Sequence, residues 1–165
     1  MIINKEVQYT KDVNANKIVA IKEYDAPLEQ VWSAFTESSI LDLWWAPKPW
    51  KAETKSMDFK EGGKWVYAMV GPAGERHWAF VSYKKIDKHK RFTAIDAFCD
   101  ENGVINTEFP RMDWVVSFAE TSEGTTVTID ITFPDEAGMQ KILEMGFEQG
   151  FAMALSNLDE IFDKQ

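Results

Sequence analysis

The C-terminal segment that starts at Pro134 constrains the fold most, because its pattern predicts one long amphipathic helix after everything else. Its apolar residues recur three or four positions apart, the spacing of one helical stripe: Met139, Ile142, Leu143, Phe147, Phe151, Leu155, Leu158 and Phe162. Asp135 supplies a start signal, and a helix from there to Phe162 would be about 40 Å long. Gly146 and Gly150 interrupt it, each at a cost of about 1 kcal/mol relative to alanine. We therefore expect the helix to be thinned there, against either a packed tryptophan or a ligand.

The chain before this helix predicts a strand, two short helices and an antiparallel meander. Residues 1–16 form a loose arm or an edge extension, and 17–23 alternate as a first strand. Pro27 opens one short helix, and Ser39 with Asp42 resembles a capping box that opens the second. Five further strands are separated by turn residues: 64–70, 75–86, 91–99, 111–120 and 125–133.

One face of this meander carries aromatic side chains, and the terminal helix carries the long apolar stripe. Burying both requires a curved antiparallel sheet of about six to seven strands wrapped around the helix. The predicted fold class is therefore α+β, a helix-grip, with residues 1–165 in a single domain.

The register of the first hairpin in the meander decides which aromatic side chains face the helix. If 71–74 form the loop, Tyr67 lies opposite Trp78 and Trp65 lies opposite Phe80, so two aromatic pairs share the inner face. The same register places His77 opposite Ala68, on the outer face.

Asp96 is the one carboxylate that could lie in the interior. Its phase matches Phe92 and Phe98, and an inward position would raise the pKa of its carboxyl and suit it to proton transfer. Counting across a turn at 87–90 favours the outer face instead, with Cys99 inward as a small buried side chain, and a bulge would reverse that assignment. Both placements stay open.

The other candidate residues predict no metal site, no phosphate site and no catalytic group. His77 and His89 are the only histidines, and the register places His77 on the solvent side. The metal-binding spacings Cys-x-x-Cys and His-Glu-x-x-His do not occur. Gly62 and Gly63 lack the threonine and the following helix of a phosphate-binding loop. We therefore expect no metal, no cofactor and no catalytic residue.

Charge and composition exclude several kinds of partner. A net charge of -9 makes nucleic acid and anionic membranes unfavourable partners, and no apolar run approaches the roughly 20 residues of a membrane span. One cysteine cannot form an intramolecular disulfide, and the polar N-terminus lacks the core of a secretory signal, so a cytoplasmic protein is expected. The seven Trp and eleven Phe either fill the interior or line a cavity.

A set of short motifs occurs in a fixed order along residues 17–162: Ala26-Pro27, Val31-Trp32, Ala34-Phe35-Thr36, Leu41, Trp44-Trp45, Pro47, Phe59, Gly62-Gly63, Trp65, Gly71 to Gly74, Gly150-Phe151, Leu155, Leu158 and Phe162. In this order they resemble the SRPBCC or START-like superfamily, which includes the birch-pollen-allergen fold. Within it, the chain is most similar to the group named after the C-terminal domain of the activator of the heat-shock chaperone ATPase. It departs from the usual pattern at Val81, where the family has a glycine.

The resemblance implies a cavity between helix and sheet for a lipid-like or aromatic ligand, although fold alone does not define a reaction. We therefore predict non-enzymatic binding of a small hydrophobic or aromatic molecule. The predicted binding residues come from both walls: Trp65, Tyr67, Trp78, Phe80, Met112, Trp114, Met139, Phe147, Phe151 and Leu155. Two alternatives stay open. The family name implies a chaperone-regulating module of the stress response, and other superfamily members imply a polyketide cyclase or aromatase, which needs a positioned acid or base.

Overall fold

The computed structural model describes residues 6–163, which form one antiparallel sheet of eight strands and four helices. The elements are β1 (Gln8–Asp12), β2 (Lys17–Tyr24), α1 (Leu28–Thr36), α2 (Ser38–Trp44), β3 (Lys51–Met57), β4 (Lys64–Val70), β5 (Arg76–Asp87), β6 (Arg91–Cys99), β7 (Met112–Glu120), β8 (Thr125–Thr132), α3 (Glu136–Glu144) and α4 (Phe147–Asp163). The strand order is β1-β2-β8-β7-β6-β5-β4-β3. This is an α+β helix-grip architecture, as predicted.

The sheet has eight strands, so the prediction of six to seven is wrong by the two edge strands. β1 pairs with β2 along Gln8–Asp12, which gives the N-terminal region an edge extension, whereas residues 1–5 lie outside the described residues. β3 pairs with β4, and only Ala52 of its seven residues is buried. A strand with so little apolar alternation gives almost no signal in the sequence.

One side chain of α2, Asp42, bonds directly to β3. The Asp42 carboxylate accepts hydrogen bonds from the Thr54 backbone N–H at 3.0 Å and from its hydroxyl at 2.6 Å. The same hydroxyl accepts from Trp65 Nε1 at 3.0 Å. The predicted capping box at Ser39 is therefore wrong, because α2 starts at Ser38 without a side-chain cap and Asp42 bonds to the sheet instead.

The predicted single C-terminal helix is divided into α3 and α4 at Met145 and Gly146. Gly146 has a φ of +83°, a left-handed conformation that ends α3 and redirects the chain. Asp135 caps α3 by accepting from the Gly138 backbone N–H at 2.6 Å, so the start signal is confirmed. The C-terminal segment is therefore interrupted at Gly146, whereas the sequence predicted one continuous helix that is thinned at both glycines.

Helix α4 packs against the inner face of the sheet through its apolar stripe, including Leu155 and Leu158, which are fully buried. Two polar contacts accompany this stripe. Tyr24 Oη donates to the Leu155 carbonyl at 2.8 Å, and the fully buried Lys22 ammonium lies 2.9 Å from Asp159 Oδ1. The Lys22 ammonium also lies 4.5 Å from the Tyr24 ring centroid, so the ion pair is enclosed between β2 and α4.

The loop between β4 and β5 contains five residues, 71–75, and this shifts the hairpin register by one relative to the prediction. Val70 pairs with Arg76, which places Tyr67 opposite Ala79 and Trp65 opposite Val81. Glu75 belongs to the loop, because its carboxylate accepts from the Ala73 backbone N–H at 2.8 Å. A shift of one residue turns every side chain of a strand to the other face.

Candidate functional site

A cavity of about 440 Å³ lies between the sheet and the junction of α3 with α4. Its walls come from three parts of the fold. The sheet contributes Tyr67, Met69, His77, Ala79, Asp96, Ala97, Phe98, Met112 and Trp114. The helices contribute Ile142, Met145, Gly146, Phe147, Gly150 and Phe151. The segment between α2 and β3 contributes Trp45, Pro47 and Trp50.

Seven of the eighteen residues that line the cavity are Trp, Tyr or Phe, and several of their rings are in contact. Trp45 stands at the centre of this cluster, with ring centroids 5.6 Å from Trp65, 6.0 Å from Trp114 and 5.8 Å from Phe151. Phe151 stacks on Phe147 at 5.4 Å and meets Trp114 edge-on at 5.5 Å. Edge-to-face packing of this kind fixes ring positions, so the cavity has a defined shape.

The mouth of the cavity lies near Trp50, His77 and Met145. The rings of Trp50 and His77 are 5.4 Å apart, and Met145 is 55% exposed. His77 pairs with Met69, on the face of the aromatics, so its predicted position on the opposite face is wrong, although its side chain is exposed.

Asp96 points inward, because it pairs with Val81 on the inner face of β5. The turn after β5 is one residue shorter than the predicted 87–90, and a bulge at Lys84 compensates for this difference. The pairs that residues 78–83 make with β6 are therefore the predicted ones. The error lies in the hairpin before β5, whose register is shifted by one residue. Asp96 therefore lies inward, as its phase with Phe92 and Phe98 predicts, and the outer position counted across the turn is wrong. Cys99 pairs with Trp78 and consequently lies on the outer face, not inward as that count placed it.

The buried carboxyl of Asp96 is unusual, since its Oδ1 has no hydrogen-bond partner among the described residues. Desolvation raises its pKa to about 8, and the Asp113 carboxylate adds to this effect. The indole N–H of Trp114 and the backbone N–H of Met112 approach the carboxyl and lower its pKa in part. The Trp114 contact falls outside ordinary hydrogen-bond geometry, so Trp114 Nε1 also has no partner of its own. At neutral pH the Asp96 carboxyl is therefore mainly protonated.

Tyr67 is a third buried polar group of the cavity. Its oxygen accepts a hydrogen bond from Trp45 Nε1 at 2.8 Å, while its own hydroxyl hydrogen has no acceptor among residues 6–163. Burial raises the pKa of Tyr67, and the nearby Asp96 carboxyl raises it further. The hydroxyl therefore stays protonated and can act as a donor.

The structure brings five of the ten predicted binding residues to the cavity: Tyr67, Met112, Trp114, Phe147 and Phe151. Trp65 lines a separate internal void of about 40 Å³, and Met139 and Leu155 are completely buried in the core. Trp78 and Phe80 lie on the outer face because of the register shift, where the ammonium groups of Lys55 and Lys64 approach their rings at 5.8 and 5.6 Å. Their assignment to the inner face is therefore wrong.

The sequence reasoning missed several cavity residues. Met69 shares the inward phase of Trp65 and Tyr67, so its signal was present in the sequence. Trp45 and Trp50 come from irregular chain, whose side-chain directions follow from no periodicity. Ala79 was missed for the same one-residue reason that misplaced Trp78.

Other chemistry in the described part of the chain is limited. No group of three or more His, Cys, Asp or Glu residues could hold a metal ion between residues 6 and 163. None of the four described helices is both long and apolar enough to cross a membrane. Burial and the neighbouring Asp100 raise the pKa of the Cys99 thiol, which disfavours the reactive thiolate.

Comparison with known proteins identifies relatives along nearly the whole chain. A family model described as "Activator of Hsp90 ATPase homolog 1-like protein" matches residues 25–163. A solution structure from Arthrobacter aurescens is 30% identical, with a TM-score of 0.92 over 98% of this chain and 94% of the other. A crystal structure from Mycobacterium smegmatis is 26% identical, with a TM-score of 0.88 over 95% and 96%. A Staphylococcus epidermidis structure is also 26% identical, with a TM-score of 0.83 over 95% and 94%. No curated protein matches the sequence significantly.

Proposed function

The chain belongs to the Activator of Hsp90 ATPase homolog 1-like family of the START-like superfamily, and on that premise we propose that it binds a small hydrophobic or aromatic molecule without transforming it. The observation that carries this proposal is the 440 Å³ cavity between the sheet and the α3–α4 junction. Ligand sites for small molecules typically have volumes of about 300–1,000 Å³, apolar walls and a few convergent polar groups.

The chemistry of the walls supports an apolar ligand. Aromatic and aliphatic side chains dominate the lining, and neither a lysine nor an arginine contributes to it. Asp96 is the one carboxylate in the lining, and burial keeps it mainly neutral at pH 7. The Asp96 carboxyl is buried, whereas His77, the one histidine of the lining, lies exposed at the mouth, and this arrangement favours binding over acid–base catalysis.

The proposal is tested with N-phenylnaphthylamine, an uncharged dye that fluoresces strongly in apolar surroundings. We expect saturable fluorescence enhancement with the wild-type protein. The variant Ala79→Phe places a ring in the cavity and should weaken binding by roughly tenfold or more, which corresponds to about 1.4 kcal/mol.

The matched control is Ser82→Phe, which adds the same ring to the outer face of the same strand. It should bind the dye like the wild type. Equal binding by all three proteins, or no saturable binding by the folded wild type, would refute a ligand site in this cavity.

The family description favours a second function, regulation of a chaperone ATPase through a protein contact. Exposed apolar side chains on α2 and α4 suit such a contact, since Leu43 is 65% exposed and Met153 is 47% exposed. We expect an Hsp90-type chaperone to show raised ATP hydrolysis with the wild type and less with Leu43→Asp. Unchanged hydrolysis at saturating wild-type protein would refute this second function.

A further inference from the structure

Three polar groups with unused hydrogen-bonding capacity line the cavity. Trp114 Nε1 and Asp96 Oδ1 are buried without partners, and the Tyr67 hydroxyl hydrogen has no acceptor among the described residues. An unpaired buried polar group costs roughly 1–3 kcal/mol, so their presence in one cavity requires an explanation.

The strand register shows how the three groups converge. Asp96 and Trp114 lie on neighbouring strands two residues apart in register, because Ala94 pairs with Trp114. Tyr67 pairs with Ala79, whose small side chain leaves space between Tyr67 and β6. All three groups line the same cavity, and Asp96 lies close to both of the others, because its carboxyl raises the pKa of Tyr67 and the Trp114 N–H lowers the pKa of Asp96.

We propose that these three groups form a binding site for the carbonyl oxygen of an uncharged aromatic or polycyclic ketone. This inference rests on the proposed function, and it names the chemical class of the ligand. Trp114 and Tyr67 donate to the carbonyl oxygen, and the protonated Asp96 carboxyl supplies a third donor. The aromatic body of the ketone then lies against Phe147 and Phe151.

The charges around the site favour a neutral ligand. A ligand carboxylate would be desolvated in a cavity whose lining contains no lysine or arginine to pair with it. An ammonium group would face the positive ends of the Trp114 N–H and Tyr67 O–H dipoles. A carbonyl oxygen accepts from both donors without bringing a net charge into the cavity.

The protonation of Asp96 determines its role as a donor. Its pKa of about 8 keeps it neutral at pH 7, and a tyrosine beside a neutral carboxylic acid is an effective donor pair for a ketone oxygen. The titratable groups around it are Asp113 on β7, Tyr67 on β4, and His77 at the mouth on β5. The α3, α4 and α2–β3 walls present no titratable side chain to the cavity.

The experiment compares three naphthalenes as competitors of bound N-phenylnaphthylamine. Acetylnaphthalene carries the carbonyl, ethylnaphthalene has the same shape without the acceptor, and naphthoate carries a negative charge. At pH 6.5 we expect acetylnaphthalene to bind about tenfold more tightly than ethylnaphthalene, since two or more hydrogen bonds distinguish them, and naphthoate to bind most weakly.

Variants assign the preference to individual groups. Tyr67→Phe and Trp114→Phe should each reduce the ratio of acetylnaphthalene affinity to ethylnaphthalene affinity severalfold. Asp96→Asn keeps an N–H donor, so it should retain the preference. In the wild type the affinity for acetylnaphthalene should fall as pH rises through about 8, because the Asp96 carboxyl loses its proton. Asp96→Asn should abolish this pH dependence, and His77→Asn should leave it in place.

The outcomes separate the two proposals. If the folded protein binds the dye but binds ethylnaphthalene as tightly as acetylnaphthalene, or binds naphthoate most tightly, the carbonyl site is refuted and the apolar cavity stands. If neither the dye nor any naphthalene binds, the proposed function fails as well. Asp96→Asn and Tyr67→Phe preserve side-chain volume, so either one keeps the test decisive if Trp114→Phe does not fold.

Discussion

Replacing Asp96 with asparagine should stabilise the folded protein in a pH-dependent way, because the buried carboxyl must stay protonated in the native state. Its pKa is about 8 when folded and close to 3.8 when unfolded. Between these values the folded chain binds more protons than the unfolded chain, so the free energy of unfolding decreases as pH rises. The asparagine variant has no such loss.

The size of the effect follows from the two pKa values. Each pH step of one across this interval costs the wild type about 1.4 kcal/mol, which accumulates to about 4 kcal/mol at pH 7. This is an upper bound, because Asp96 keeps some accessibility from the cavity. Above about pH 8 the carboxyl is ionised in both states, and the difference becomes constant.

Urea denaturation of both proteins at several pH values from 5 to 9 measures this difference directly. The asparagine amide introduces its own hydrogen-bonding cost, but that offset does not vary with pH. The widening gap between the two stability profiles is therefore the diagnostic quantity. Parallel profiles across the whole range would show that Asp96 ionises normally in the folded state and would refute the inward, desolvated carboxyl.

Three further experiments test other parts of the structure. Gly146→Ala should lower the free energy of unfolding by about 1 kcal/mol, because the φ of +83° strains any other residue. Gly150→Ala should raise the free energy of unfolding by up to about 1 kcal/mol, because alanine favours the helix and meets only an ordinary contact there. If urea denaturation ranks the two variants the other way, the helix break at Gly146 is contradicted. Lys22→Met should lower the free energy of unfolding by roughly 3–5 kcal/mol, because it leaves Asp159 buried without its partner. The double variant Lys22→Met with Asp159→Leu should recover most of that stability. A double variant no more stable than the single variant would contradict the enclosed ion pair. Cys99 should react with a thiol reagent at pH 8 more slowly than free cysteine, because burial raises its pKa; an equal rate would contradict this environment.

The fold class was accessible from the sequence because the strongest patterns belong to elements with one buried face. β8 alternates buried and half-buried residues along its whole length, and α4 presents one apolar stripe to the sheet. Edge strands bury little, so β1 and β3 have weak patterns. The break at Gly146 was also missed, since a glycine in a helical pattern does not show whether its φ is positive.

The candidate site depended on a smaller detail, the length of one loop. A four-residue and a five-residue connection are equally compatible with the glycines at 71 and 74. The protein has the five-residue connection, in which the Glu75 carboxylate accepts from the Ala73 N–H. This difference of one residue in loop length places Trp78 on the outer face and Asp96 on the inner face. The phase of Asp96 within its own strand was the more reliable signal, because it does not accumulate errors from preceding turns.

The two glycines of the C-terminal segment have separate roles, and these explain why a cavity persists in a chain so rich in tryptophan. A side chain at Gly146 would meet no atom within 4 Å, so the helix break leaves open space instead of a close contact with an indole. A side chain at Gly150 would meet Pro47 at 3.6 Å, an ordinary contact at the cavity wall. The tryptophans instead contact one another, as Trp45 does with Trp114. Because the rings are fixed by these contacts, they cannot move into the space without losing them, and the cavity stays available for a ligand.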